Sequence, residues 1–277
     1  NKTIFSALLL AGFTLLSPSC TEEDNISVPN ARPVEDQNWT FEETPVWADE
    51  FNEPGKPSST RWQYEEGFTG WGNNELQYYS KGDNVDIQDG ILTIEARKED
   101  RGGANYTSSR MITRGLGDFL YGRFEAKMKL PAGRGTWPAF WMLPSDFSYG
   151  VWPKSGEIDI MELVGGAGNN DKTVYGTAHW SDNGNHAQYG DSYTLNSGVF
   201  ADEFHVFSIV WNANSITWMV DYTVFNTINT TPAQLAEFQE KFFLIFNVAV
   251  GGNWPGSPDP STQFPQTMYV DYVRVFQ

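Results

Sequence analysis

The stretch Trp152-Pro153-Lys154-Ser155-Gly156-Glu157-Ile158-Asp159-Ile160-Met161-Glu162-Leu163-Val164-Gly165 sets three carboxylates into an otherwise apolar run. At the strand period of two, Glu157 and Asp159 point to one face while Ile158 and Ile160 point to the other. Glu162 is out of phase. On a regular strand it would share the face of Ile158 and Ile160 and bury an unpaired charge, a cost of several kcal/mol or more. One extra residue at Ile160 or Met161, a β-bulge, turns Glu162 back to the face of the other two acids. The apolar flanks, with Trp152 upstream and Gly165-Gly166 downstream, predict a central strand that closes in a tight loop and not a solvated acidic edge.

Outward from this strand, short alternating or β-branched runs recur at Val46 to Phe51, Val85 to Ile87, Ile91 to Ala96, Tyr121 to Leu130 and Val174 to His179. Others follow at His205 to Trp211, Ser215 to Val220, Phe242 to Val250 and Tyr269 to Phe276, with Gly, Asn, Asp and Pro clusters between them. Helix periodicity is convincing only around Thr231 to Lys241. No repeat of 20–50 residues stands out. The pattern predicts an all-β fold, a β-sandwich jelly roll of two antiparallel sheets with a concave substrate cleft, and 277 residues suffice for one such domain.

The N-terminus has a different character. Lys2 precedes an apolar run of thirteen residues, Ile4 to Leu16, then Ser17-Pro18-Ser19-Cys20. Such a run is too short to span a bilayer, which takes roughly 20 residues, and it reads as a secretion signal over 1–19. Cys20 is the single cysteine, so no internal disulfide forms. The segment resembles a bacterial lipoprotein signal in which Cys20 becomes the acylated residue, although Pro18 departs from the usual small-residue pattern. Residues 20–44, rich in Pro, Asn and acids, cannot bury enough apolar surface to order themselves and are expected to form a flexible acidic tether. The folded domain is then 45–277. The acidic run after Cys20 also resembles the surface-export signals of Bacteroidetes lipoproteins, so the chain is expected at the bacterial outer membrane or cell surface, touching the membrane only through its lipid anchor.

Eighteen Lys and Arg against 35 Asp and Glu give a net charge of −17, which argues against nucleic acid as a partner and suits a neutral polymer. Eleven Trp is a high count. Trp71, Trp137, Trp141, Trp152 and Trp254 sit among Gly, Asn and Pro and read as loop residues, where an indole offers a flat apolar face and an N–H to a pyranose ring. Trp211 and Trp218 lie in well-patterned strands and are assigned to the core. Two carboxylates flanking a bond, one attacking the anomeric carbon and one protonating the leaving oxygen, are the requirement of glycoside hydrolysis.

Gly156-Glu157-Ile158-Asp159-Ile160-Met161-Glu162 resembles the bulged E-x-D-x-x-E signature of glycoside hydrolase family 16. Further matches run from about Trp47 to the C-terminus: Gly70 to Tyr79, Ser109-Arg110, Tyr121 to Ala126, Leu130 to Gly133, Trp137 to Pro144, Asn247 to Gly252 and Val270 to Val275. Together they resemble the laminarinase branch, the bacterial endo-1,3-β-glucanases. The resemblance implies a retaining double displacement with Glu157 as nucleophile, Glu162 as general acid and then base, and Asp159 as the assisting acid. Retention needs the working carboxyls roughly 5–5.5 Å apart. It further implies sugar platforms on the glycone side at Trp137, Trp141 and Trp152, hydrogen-bonding partners there at Asn73 and Arg110, His179 near the acid/base and the leaving group, and Trp71 and Trp254 in motifs of the cleft.

No cofactor is expected for catalysis; with three His and one Cys nothing resembles a zinc or redox centre. The resemblance implies a structural calcium far from the chemistry, held by Glu50, the carbonyl of Gly90 and Asp271. The expected partner is a β-glucan polysaccharide, bound by a monomer. The alternatives are a mixed-linkage β-1,3-1,4-glucanase, a family 16 agarase and, in another class, a non-catalytic glucan-binding jelly roll. Lichenase-type enzymes have the unbulged E-x-D-x-E, and a binding module would have no need of all three acids.

Overall fold

The computed structural model describes residues 43–166 and 170–277. The expected signal segment, Cys20 and the tether up to residue 42 lie outside the described residues. Eighteen strands follow in chain order among the described residues. They are β1 (Trp47–Asp49), β2 (Gln63–Glu65), β3 (Gln77–Tyr79), β4 (Val85–Gln88), β5 (Ile91–Ala96), β6 (Tyr106–Ser108), β7 (Arg110–Ile112), β8 (Asp118–Phe119) and β9 (Gly122–Lys129). The second half comprises β10 (Thr136–Pro144), β11 (Glu157–Leu163), β12 (Thr173–Asp182), β13 (Asn185–Thr194), β14 (His205–Trp211), β15 (Ser215–Val220), β16 (Thr223–Asn229), β17 (Phe242–Val250) and β18 (Gln266–Phe276).

Two eight-stranded antiparallel sheets carry the fold, as the sequence predicts. The back sheet runs β16-β15-β14-β9-β18-β5-β4 with β1 on β18, and the front sheet runs β13-β12-β11-β10-β17-β7-β2 with β8 on β17. Their facing sides build one core, with Phe124, Phe207, Trp211 and Trp218 from the back sheet against Phe140, Ile158, Met161 and Phe246 from the front. β17 is buried along its whole length. Its even-numbered apolar residues face the core, while Phe243 and Ile245 join Ile112, Trp141 and Leu143 in a smaller apolar patch on the other side. Two apolar layers therefore explain why Phe242 to Val250 reads as a continuous apolar run and not as an alternation.

The strands expected at Ile91 to Ala96, His205 to Trp211, Ser215 to Val220 and Phe242 to Val250 have those bounds. The helical period near Thr231 to Lys241 resolves into a short 3-10 helix, Ala233–Gln239, interrupted at Leu235 (φ −115°, ψ 22°). One expectation is corrected. Trp137 and Trp141 do not sit in a loop among glycines; they lie on β10, a central strand. The period of two puts Trp137, Ala139, Trp141 and Leu143 on one face, and all four line the cleft.

Candidate active site

β11 steps where the sequence requires it. Against β12, Glu157, Ile158 and Asp159 pair with His179, Ala178 and Thr177, whereas Glu162 pairs with Tyr175, one position out of that register. Against β10, Met161 pairs with Phe140 and Asp159 with Trp141, which leaves Ile160 as the extra residue. Ile160 and Met161 both go into the core, almost fully buried. Burying two such side chains contributes roughly 3–6 kcal/mol, against about 0.5–1.5 kcal/mol for a ladder hydrogen bond lost, so the bulge is the favoured solution. The carbonyl of Asp159 at the step is reached from the opposite sheet: the indole N–H of Trp218 donates to it at 2.7 Å. Gly176 on β12 makes room, since a Cβ there would lie 2.4 Å from the Trp218 ring.

Glu157, Asp159 and Glu162 all line one cleft of about 650 Å³, within the roughly 300–1,000 Å³ usual for ligand sites. Burial pushes the Glu162 carboxyl well above its ordinary range, and the charges of Asp159 and Glu157 add to the effect. Trp137 opposes it by donating its indole N–H to Glu162 Oε1 at 2.9 Å. Burial, then the neighbouring Asp159, pushes Glu157 up to about 8, while His179, Arg110 and a hydrogen bond from Trp152 favour its charged form. Asp159 is also held up by burial, and a hydrogen bond joins it to Glu157. Three such acids cannot all be ionised together. Glu157 is 17 % exposed against 3 % for Asp159, and Arg110, His179 and Trp152 favour its charged form, so it is the first of the three to ionise as pH rises. Asp159 and Glu162 hold protons.

Other expected residues gather around this cluster. Arg110 lies between Trp71 and Trp141, 5.2 and 4.6 Å from their rings, and pairs with Glu65 at 2.5 Å. The Trp141 N–H donates to Asn247 Oδ1 at 2.7 Å. The Trp254 ring meets Trp137 edge-on at 5.7 Å and Tyr175 at 5.0 Å. Asn73 is hydrogen-bonded to Glu75, and its loop is tied to that of Trp254 by Asn253 N–H to the Asn73 carbonyl at 2.8 Å. Trp152 lines the cleft beside two histidines. Its ring lies 6.3 Å from His179 and 4.8 Å from His186, in the same cleft as Arg110 and Trp141.

Three cleft residues were not singled out by the sequence as site residues. Glu75 is buried and its pKa raised by that burial; it accepts from Gln77 at 2.6 Å and from the Tyr79 hydroxyl at 3.2 Å. Asn247 donates to Tyr79 at 3.1 Å, which links this network to Trp141. The alternation Glu75, Gln77, Tyr79, three polar groups on one buried face, was the available signal. The third, His186, lies 2.9 Å from His179 on a polar strand that offers no such pattern.

Among the described residues one set of potential metal donors converges: Glu157, Asp159 and His179, with donor atoms within 4.8 Å of one another. It is the acid cluster itself, and its proton-holding carboxyls make it a site of proton chemistry. The expected calcium donors lie on neighbouring strands of the back sheet: Glu50 follows β1 and Gly90 precedes β5, and both strands pair with β18, which carries Asp271. Glu50 is engaged by Arg274 through two bonds of 2.8 Å, and Asp271 by Lys127 at 2.9 Å. An ion there would have to displace both cations, and no step of the reaction runs through it.

The chain is 44 % identical over 248 residues to a β-glucanase of Rhodothermus marinus, covering 84 % of each chain. It is 37 % identical to glucan endo-1,3-beta-glucosidase A1 of Niallia circulans, matched over 94 % of this chain and 41 % of that longer one. The laminarinase catalytic domain of Thermotoga maritima superposes with a TM-score of 0.76 at 44 % identity, over 84 % of this chain and 98 % of that domain. The model of glycosyl hydrolases family 16 matches residues 72–274, and the chain belongs to that family.

Proposed function

We propose that the protein is a retaining endo-hydrolase of β-1,3-glucan. The observation that carries this reading is the step in β11, by which Glu157, Asp159 and Glu162 line one cleft beside Trp137 and Trp141 of β10. Glu157, ionised, attacks the anomeric carbon and forms a glycosyl ester as Glu162 gives its proton to the leaving oxygen. The Trp137 N–H then stabilises the Glu162 carboxylate. In the second half Glu162 takes a proton from water, the water attacks the anomeric carbon, and Glu157 leaves as carboxylate. Asp159, hydrogen-bonded to Glu157, steadies the nucleophile in both halves.

The test is a product profile on laminarin, lichenan, agarose and carrageenan side by side, with early-time NMR of the anomers. Oligosaccharides from laminarin with a β-configured first product are expected, and Glu157→Gln binds laminarin without cutting it. An α-product would exclude the double displacement, and preferential cutting of lichenan or agarose would move the specificity to that polymer.

Three further proposals rest on the sequence or the strand pairing. Export and acylation at Cys20 are supported by residues 1–24, and mass spectrometry of Cys20→Ala against the parent chain tests them. Calcium at Glu50, Gly90 and Asp271 is supported by the pairing of β1 and β5 with β18; a melting temperature unmoved by calcium or chelator would exclude it. A monomer suffices because one chain supplies the whole cleft, and sedimentation tests it.

A further inference from the structure

Both ring nitrogens of His179 are engaged. Nε2 lies 2.9 Å from Asp159 Oδ2 and 3.8 Å from Glu157 Oε1. Nδ1 lies 2.9 Å from Nε2 of His186. The two imidazoles are nearly parallel, with centroids 5.1 Å apart and planes at 26°, and Trp152 backs His186 at 4.8 Å. His186 comes from β13, opposite Ser181 of β12, so adjacent strands hold the pair. Asp159 Oδ2 is buried and has no aligned hydrogen bond. The His179 Nε2–H is off the line to it, a looseness common in catalytic groups before substrate binds. The Asp159 proton is engaged in its hydrogen bond with Glu157, so Oδ2 faces Nε2 as an acceptor, a lone pair on Nε2 at 2.9 Å would be repulsive, and the His179 proton belongs on Nε2.

One more proton lies between the rings, because two lone pairs do not bond. When His186 donates it, His179 is neutral and its single proton is on Nε2. When the pair takes up a further proton, His179 becomes an imidazolium that donates to both sides, and Nε2–H still faces Asp159. Without His186, Nδ1 is free to take the proton and Nε2 can turn a lone pair on the carboxyls. With Nε2–H against Oδ2, the proton of Asp159 is left for its hydrogen bond with Glu157.

We propose that His186 is a positioning residue of the reaction, which holds the His179 proton on Nε2 and thereby keeps the negative charge of the acid cluster on Glu157. The inference rests on the hydrolase reading above. The groups that face the pair are Glu157, Asp159 and Glu162 of β11 and the Trp152 ring, with Arg110 of β7 acting on Glu157 from the other side. His179 in turn favours the charged form of Glu157, so its loss of orientation raises the pH at which Glu157 ionises.

The experiment uses His186→Phe, which keeps a ring beside Trp152 but no nitrogen, and His186→Gln, whose amide can donate to Nδ1. The chain has three histidines, so imidazole ¹⁵N NMR resolves each of them without substrate. In the parent protein His179 is expected to be protonated on Nε2; in His186→Phe it becomes a mixture with the Nδ1–H form. On laminarin, kcat falls about tenfold with KM within about twofold, less than the roughly 10²–10⁴ of losing an acid–base group itself. The acidic limb of the kcat profile moves to higher pH, and His186→Gln recovers most of both changes. An Nδ1–H tautomer in the parent, an unchanged His179 in His186→Phe, or a loss confined to KM would overturn the proposal. If the parent fails to cut laminarin, the functional reading falls, and the NMR still decides the role of His186.

Discussion

Glu162 must hold a proton in one half of the reaction and lack it in the other, and a single indole adjusts that balance. Trp137→Phe removes the N–H that favours the Glu162 anion, so Glu162 keeps its proton to higher pH. The alkaline limb of kcat/KM on laminarin is expected to move upward, while kcat drops because the base of the second step loses its stabilisation. A second expectation concerns the fold. A carboxyl held above its ordinary range binds a proton in the folded protein that the unfolded chain releases, so its contribution to stability is full at low pH and is lost as pH rises through the folded value. For Glu157 the window runs from 4.5 to about 8. The melting temperature should fall across it, and Glu157→Gln should flatten that fall; a parallel decline in the variant would contradict the assignment. The three acids were legible because charged residues in an apolar strand need a reason. Glu75 and Asn247 were less so, since each is polar in a run that also serves the core, and His186 acts only through a neighbour from another strand.

At the level of elements, the step in β11 depends on a residue of the other sheet. Trp218→Phe leaves the Asp159 carbonyl without its 2.7 Å donor, and an unsatisfied buried group costs about 1–3 kcal/mol. Chemical denaturation should show that loss, and hydrolysis of laminarin should weaken even though Trp218 is fully buried. Wild-type activity in a destabilised Trp218→Phe protein would mean that the bulge holds its shape unaided. The phase error at Glu162 predicted the bulge, whereas its support from β15 could not be seen in a one-dimensional pattern. The same limit hid whole strands. β13 is exposed along most of its length, so no apolar alternation marks it, and β16 is likewise an outer strand. β10 was masked by its own Trp and Pro residues, which read locally as a loop.

For the molecule as a whole, the net charge of −17 and a neutral polymer lead to a simple expectation. Raising salt from roughly 50 to 500 mM shortens the screening length from over 10 Å to under 5 Å, yet it should change kcat/KM on laminarin by less than about twofold. A steep salt dependence would indicate an ionic substrate. The two-sheet architecture was legible from strand count and punctuation alone, because sandwiches bury one face of each strand. The sheet order was not, since pairings such as β9 with β18 join residues far apart in the chain. The Trp218 bond has one more consequence, for engineering. The seven residues from Glu157 to Leu163 are not a portable cassette: grafted onto another sandwich they would arrive without the indole that caps the step or the bare Gly176 that admits it. A recipient scaffold should be chosen by what stands behind the strand before what stands in front of it.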